Sequence, residues 1–189
     1  MEGIICKKKE ATGAVGYCIL FGLALILVIT TMYIAMASKL MSEQHTIDDA
    51  LSDSVLASLV ADDVYYFETA ESYGYPVVRF RNREESYNNY MACMRDAISN
   101  TEGFYYNFEY TTFIEYEVED SQVRITTYSG NGGARSTSYG RVGSVKTPAG
   151  EVVRKTSAYA KVTFDLKSIL DDSYIRKTRD IYCALKINY

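Results

Sequence analysis

The sequence predicts an α+β protein in which a long N-terminal helix, first membrane-spanning and then amphipathic, packs on an antiparallel β-sheet. Three observations support this prediction. Residues 11–38, the uncharged stretch, contain no charged side chain. Apolar residues then recur at spacings of three and four, which is typical of a helix. Beyond Phe104 the apolar repeat changes to two, which is typical of strands.

The uncharged stretch has the length of a membrane span. Its inner part, residues 17–37, contains 21 residues, and a rise of about 1.5 Å per residue makes it about 31 Å long, the thickness of the bilayer's hydrocarbon core. Lys7, Lys8 and Lys9 precede it, and basic residues beside a span tend to stay in the cytoplasm. We therefore expect a single-pass protein of the cell membrane with a cytoplasmic N-terminus and an extracytoplasmic C-terminal part.

A basic region followed by an apolar run also describes a secretory signal peptide. Ala35, Met36 and Ala37 have the small-x-small pattern of a cleavage site, so a secreted form would begin at Ser38. Against cleavage, the apolar run of residues 17–34 is longer than the roughly 7–15 residues of a signal peptide. A retained anchor is favoured, and secretion stays as the alternative.

The predicted domains are residues 1–38, the basic N-terminus with its transmembrane or signal-anchor segment, and residues 39–189, an exported head. The helix is expected to continue to about Glu71, because no Gly or Pro lies between Leu23 and Tyr73. Gly74 and Pro76 are expected to end it. Its apolar side chains are expected to pack on the head. They are Leu40, Ile47, Leu51, Val55 and Leu59, followed by Leu56, Val60, Val64 and Phe67.

A second helix is expected after Asn82. Asn82 and Glu85, three residues apart, have the spacing of a capping box at the start of a helix. This helix should end near Asn100. Strands follow. Residues 104–118 predict one long strand with a bulge near Thr111 and Thr112, and residues 123–127 predict the returning strand.

The rest of the chain predicts one loop, one hairpin and two strands. Residues 129–144 are rich in Gly and Ser and predict a mobile loop. A hairpin turning at Thr147–Gly150 comes next, followed by a clearly alternating strand at residues 158–167 and a last strand at 181–187. We expect helix to cover one face of the resulting sheet.

The sequence contains no recognisable catalytic constellation, so we expect a protein that is not an enzyme, with no cofactor and no small-molecule substrate. His45 is the only histidine, which excludes multi-histidine metal sites. The net charge of −4 argues against nucleic acid as a partner, because phosphate binding needs a basic surface. No metal site is expected, and Asp171 with Asp172 is the least implausible place for calcium.

Two cysteines fall in the exported part, Cys93 and Cys183. An oxidising exterior would permit a disulfide between them. The alternative is that both are small buried apolar residues, and the sequence does not decide between the two.

Tyrosine is abundant, with 18 residues, while tryptophan is absent. Tyrosines on strands can supply stacking and hydrogen-bonding surface to a partner. The candidates for such a surface are Tyr106, Tyr110, Tyr116 and Tyr128. A secreted or anchored extracellular binding module that uses this surface is the alternative function.

The order of a basic N-terminus, an apolar helix, its amphipathic continuation and an antiparallel sheet resembles type IV pilin-like proteins. Gly13, Ala14 and the apolar run that follows resemble more closely the TadE-like pseudopilins of tight-adherence (Flp-type) pilus systems. The resemblance covers residues 7–70 in layout. It implies a structural component of a surface pilus or secretion assembly, partnered by other pilin-like subunits and cleaved between Gly13 and Ala14. The family's glutamate, five residues after the cleavage point, is replaced here by Cys18.

Overall fold

The computed structural model describes residues 2–101, 103–131, 133–168 and 173–185, with side chains described from Gly13 onward. Within these described residues, three helices precede five strands. They are α1 (Glu2–Ser58), α2 (Asp63–Tyr73), α3 (Arg83–Ser99), β1 (Tyr105–Glu119), β2 (Gln122–Ser129), β3 (Ala134–Arg141), β4 (Ser157–Lys167) and β5 (Tyr174–Ala184). The α+β prediction is confirmed, with a long N-terminal helix and one antiparallel sheet.

The chain forms two compact units, Met1–Gln44 and His45–Tyr189. The first unit consists of α1 residues. The second, the head unit, contains the last residues of α1 and all other elements. Within the head unit Ile47, Leu51 and Val55 are buried while Asp49 and Asp53 are exposed, so the predicted amphipathic segment is confirmed there.

The prediction of one helix running to Glu71 is wrong, because α1 ends at Ser58. Backbone pairing with a later segment takes residues 60–62 out of the helix. The Arg81 amide donates to the Val60 carbonyl and the Asp62 amide donates to the Arg79 carbonyl, each at 3.0 Å. These long-range bonds satisfy backbone groups that a continuing helix would otherwise have paired.

A new helix, α2, starts immediately after this break. The Asp62 side chain caps it by accepting from the Tyr65 amide at 3.2 Å, and the pKa of Asp62 is lowered by this bond and by Arg79. The helix ends as predicted at Gly74, whose φ of 71° is the left-handed conformation that glycine adopts without strain.

The break exposes part of the apolar stripe that was expected to be buried. Leu56, Val60, Val64 and Phe67 are all exposed, with Phe67 at 65%. This part of the packing prediction is therefore wrong, and of the expected positions only Ile47, Leu51, Val55 and Leu59 are buried.

Helix α3 begins where the capping pattern placed it. The Asn82 side chain accepts from the amides of Glu84 and Glu85, at 3.1 and 3.4 Å. Its buried positions, Ser86, Tyr90, Met91 and Met94, form one face of the helix.

Changing Asn82 to Ala is expected to lower the free energy of unfolding of the head unit by about 1 kcal/mol, since the first-turn amides lose their acceptor. Asn88→Ala is the matched control, because Asn88 is an exposed residue inside the same helix. Denaturant titration of the full-length protein measures both variants. Equal losses for the two would contradict the capping role.

The sheet has the order β3-β2-β1-β4-β5, and all neighbours are antiparallel. The predicted bulge is confirmed, since the β1–β4 register shifts between Tyr110 and Thr112. A second irregularity lies between Tyr106 and Glu109, where Asn107 has a φ of 48°.

The predicted mobile loop at residues 129–144 is wrong, because β3 occupies half of it and pairs with β2 over eight residues. All but one of its side chains are exposed. An edge strand with both faces in solvent has no apolar alternation, so its Ser, Thr and Gly content resembles that of a loop.

Both faces of the sheet are partly covered, whereas the sequence predicted cover on one. Alternate β4 residues from Ala158 to Leu166 are buried on the helix face, the face on which Tyr90 of α3 stacks on Phe113 of β1. On the opposite face a second core forms against residues 142–153, which make the predicted hairpin. Its buried members are Ile114, Tyr116, Val123, Val153 and Tyr159. Strand β4, which lies between β1 and β5, is therefore buried on both sides.

Candidate functional site

Among the described residues, α1 carries a long apolar surface that packs on no other element. Its apolar side chains from Val15 to Ile34 are exposed along the helix, and Tyr17, Phe21 and Tyr33 reach 67–77%. The described helix Gly13–Ser58 qualifies as a membrane span by length and composition, and none of its most apolar window is buried. This surface can pack only against something outside the described part of the chain.

The few polar groups in this segment are satisfied within the helix. The Thr30 hydroxyl donates to the Ile26 carbonyl at 2.8 Å, and the Thr31 hydroxyl donates to the Val28 carbonyl at 2.9 Å. Because a bilayer core offers no water, a spanning helix needs this kind of internal pairing. These two threonine hydroxyls therefore do not oppose burial in lipid or among apolar helices.

The two candidate processing points both lie within α1. Gly13 and Ala14 are exposed at one of them, and Ala37 and Ser38 are exposed at the other. Which of them is used stays a prediction.

The structure does not pair the two cysteines of the head unit. Cys93 is exposed on α3, Cys183 is half-buried on β5, and both are free thiols. Burial raises the pKa of the Cys183 thiol. The disulfide is therefore not formed, because Cys93 lies on the solvent side of its helix, and the alternative of a buried Cys93 is wrong for the same reason.

The four tyrosines of the predicted contact surface differ in burial: two are buried in the core and two are half-buried. Tyr116 and Tyr128 are only 2% and 6% exposed, so they belong to the core and cannot meet a partner. Tyr128 stacks on Tyr87 of α3 with ring centroids 4.2 Å apart. Tyr106 and Tyr110 are half-buried. The interpretation of these four residues as one contact surface is wrong for Tyr116 and Tyr128.

The residues considered for acid–base or metal chemistry are not brought together. His45 is exposed on α1, as expected for a solvated helix residue. Asp171 and Asp172 lie outside the described residues. Among the residues that the structure does describe, no group of three or more metal-ligating side chains occurs.

A buried carboxyl group that the sequence did not indicate lies beneath α3. Glu115 of β1 is 1% exposed, and neither of its carboxyl oxygens has a hydrogen-bond partner among the described residues. The hydroxyls of Ser86 and Tyr128 are also buried without a partner. Such groups are costly, because burial removes water without replacing its hydrogen bonds.

This environment raises the pKa of Glu115 to about 7. Burial is the main cause, and the negative charge of Glu117 adds to it. The nearby Ser86 hydroxyl, which lies outside good hydrogen-bond geometry, and the positive charges of Arg135 and Arg83 oppose the shift. The carboxyl group therefore titrates near neutral pH, inside the core of the head unit.

Glu117 lies two residues further along the same face of β1, and its carboxylate is fully engaged by hydrogen-bond donors. Its carboxylate accepts from the Phe80 amide at 3.2 Å and from Arg83 Nε at 2.9 Å, and it also pairs with Arg83 Nη2. Strand alternation puts both glutamates on the helix face, but only α3 decides which of them meets Arg83.

No protein-family model, curated protein or solved structure matches this chain. The functional conclusion therefore rests on the residues described above.

Proposed function

We propose that the protein is a membrane-anchored structural component whose uncharged helix lies in lipid or packs beside similar helices. The observation that carries this proposal is the continuous exposed apolar surface of α1 between Val15 and Ile34, without a charge from residue 11 to 38. An apolar surface of this size is not stable in water, and helices of this kind are found in bilayers or in helical assemblies.

The finer part of the proposal is a pilin-like, TadE-like subunit of a surface pilus or secretion assembly. It is supported by the order of parts along the chain and by Gly13 at the candidate processing point. Lys7–Lys9 favour a cytoplasmic N-terminus and an extracytoplasmic head. Close helix packing with other subunits is favoured by Gly13, Gly16 and Gly22, where an added Cβ would meet nothing within 4 Å of its own chain.

Carbonate extraction of membranes that contain the full-length protein, followed by N-terminal sequencing, tests the proposal. We expect the protein to stay in the membrane fraction. A mature start at Ala14 supports pilin-like processing, and a start at Met1 supports an uncleaved anchor. A start at Ser38, or extraction as a soluble monomer without detergent, contradicts the membrane-anchored component.

A further inference from the structure

Strand β3 forms one of the two edges of the sheet. It is the end strand of the order β3-β2-β1-β4-β5, and on its outer side it pairs with no other described strand. All of its residues except Gly140 are exposed, and Tyr139 reaches 67%. The outer side of β3 is therefore accessible to a further strand.

The register between β2 and β3 shows which backbone groups of β3 face this edge. Gln122 pairs with Arg141, and one step beyond this pair the Val142 amide donates to a carbonyl of the preceding turn, that of Ser121, at 3.0 Å. In an antiparallel ladder, residues that bond to the neighbouring strand alternate with residues that do not. The residues of β3 whose amide and carbonyl point outward are therefore Arg135, Thr137, Tyr139 and Arg141.

One of these outward groups already has a partner in its own chain. The Arg141 carbonyl accepts from the amides of Ser144 and Val145, at 3.0 and 3.3 Å. Three residues keep both outward groups available for a further strand, and they are Arg135, Thr137 and Tyr139.

Strand β3 lacks the features that usually prevent an edge strand from pairing. Those features are lysine, proline and β-bulges. Residues 134–141 contain no Lys or Pro, and their register with β2 has no shift. The strand at the other edge, β5, carries Arg176, Lys177 and Arg179 within four residues. The edge of β3 is therefore the better template for strand addition.

We propose that β3 pairs in antiparallel orientation with β3 of a second copy of the chain, with Thr137 opposite the second copy's Thr137 on a two-fold axis. Arg135 then lies opposite the second copy's Tyr139, and Tyr139 lies opposite the second copy's Arg135. Each of the three pairs exchanges two hydrogen bonds, because all of its members direct their amide and carbonyl outward. No outward group of these three residues is left unpaired.

The side chains are also complementary in this register. On one face Arg135 meets an aromatic ring, that of Tyr139, and Thr137 meets Thr137. On the other face Ser136 lies opposite Ser138, so two small hydroxyl side chains meet. No like charges lie directly opposite one another, which would oppose pairing. The sequence of the strand therefore selects a copy of itself as the partner.

Other symmetric registers meet backbone groups that are already bonded. Moving the two-fold axis to Ser138 or Tyr139 uses the Arg141 carbonyl, and at Ser138 it also places Arg135 opposite Arg141. Moving the axis the other way brings in Gly133, whose amide donates to the Gly130 carbonyl at 3.2 Å. Only the register centred on Thr137 uses free groups throughout.

Disulfide crosslinking tests the contact in membranes that contain the full-length protein, with its four native cysteines replaced by alanine. Opposed residues of such a pair have Cα atoms about 5.5 Å apart, within the range of a disulfide. Thr137→Cys is therefore expected to give a crosslinked dimer on oxidation with copper phenanthroline. The matched control is Thr178→Cys, at an exposed threonine near the middle of the other edge strand, and it should give none.

Arg135→Cys and Tyr139→Cys test the register. Neither variant should crosslink with itself, because identical positions are offset by four residues, roughly 13 Å along the strand. Differently tagged copies of the two variants, expressed together, should crosslink with each other.

A charge on the axis should weaken the contact without unfolding the head unit, because Thr137 is exposed. Thr137→Lys is expected to lower crosslinking between Arg135→Cys and Tyr139→Cys about five-fold or more, since two like charges then meet. Thr178→Lys should leave the yield unchanged. Circular dichroism should show that both variants are folded.

The proposal is overturned if Thr137→Cys gives no dimer, if Thr178→Cys gives as much, or if Arg135→Cys and Tyr139→Cys each crosslink with themselves as readily as with each other. An unchanged yield with Thr137→Lys would also overturn it. Crosslinking of Thr137→Cys to a protein of different mass would assign the edge to another partner, with the same consequence. The contact lies in the head unit, so each of these results is distinguishable from loss of membrane retention, which tests the proposed function.

Discussion

Replacing Glu115 by glutamine is expected to raise the free energy of unfolding of the head unit by about 3 kcal/mol above pH 7. The carboxyl group is 1% exposed and has no hydrogen-bond partner among the described residues, so its charged form is poorly solvated in the folded protein. Glutamine has nearly the same shape but does not ionise. The variant therefore removes the cost of charging a buried group.

The direction of the pH dependence follows from the two pKa values. In the unfolded chain Glu115 has its ordinary pKa of 4.5, and in the folded protein its pKa is about 7. Between these values the folded protein holds a proton that the unfolded chain has released, so stability falls as the pH rises. The loss begins near pH 4.5 and is complete somewhat above pH 7.

Denaturant titrations of the full-length protein in detergent, followed by near-ultraviolet circular dichroism of the tyrosines, measure this effect from pH 4.5 to 8.5. The matched control is Glu151→Gln, which removes the same charge at an exposed position. We expect the control to keep the pH dependence of the unchanged protein and Glu115→Gln to flatten it. An unchanged slope in Glu115→Gln would show that Glu115 does not titrate in the folded core.

The second large effect is expected from charges placed in the uncharged helix. Leu25 and Ile29 are exposed one turn apart, near the middle of the apolar segment. Each lysine at the centre of a spanning helix costs about 3 kcal/mol of insertion free energy. The double variant Leu25→Lys/Ile29→Lys is therefore expected to move most of the protein out of the carbonate-resistant membrane fraction.

The control places the same two lysines, also one turn apart, at Met41 and His45, which are exposed beyond the uncharged stretch. Immunoblots of the membrane and soluble fractions compare the variants at equal expression. Retention of the control with release of the Leu25/Ile29 variant is the expected result. Equal retention of both would contradict insertion of this segment in a bilayer.

Local signals in the sequence predicted several elements correctly. Asn82 and Gly74 act through backbone groups within a few residues, so the pattern around them is sufficient to place a helix start and a helix end. The alternation in residues 158–167 likewise predicted β4, because successive side chains of a strand point to opposite faces. The sequence did not show that the second face, with Tyr159, Thr163 and Asp165, is buried as well.

Contacts between distant segments could not be predicted in this way. The end of α1 depends on the pairing of Val60 and Asp62 with Arg81 and Arg79, and no local periodicity contains that pairing. Strand β3 is held by backbone bonds to β2, while its side chains lack the apolar signal of a strand.

The sequence by itself determined the uncharged helix and the α+β order of elements, because both depend on composition and on periods of a few residues. Only the tertiary structure decided which polar groups the core encloses. Glu115 and Glu117 occupy equivalent positions in the alternation of strand β1. Glu117 is paired with Arg83, whereas Glu115 is buried without a hydrogen-bond partner among the described residues. The reason is that the position of α3 over the sheet sets the environment of each carboxylate, and that position depends on packing between segments far apart in the chain.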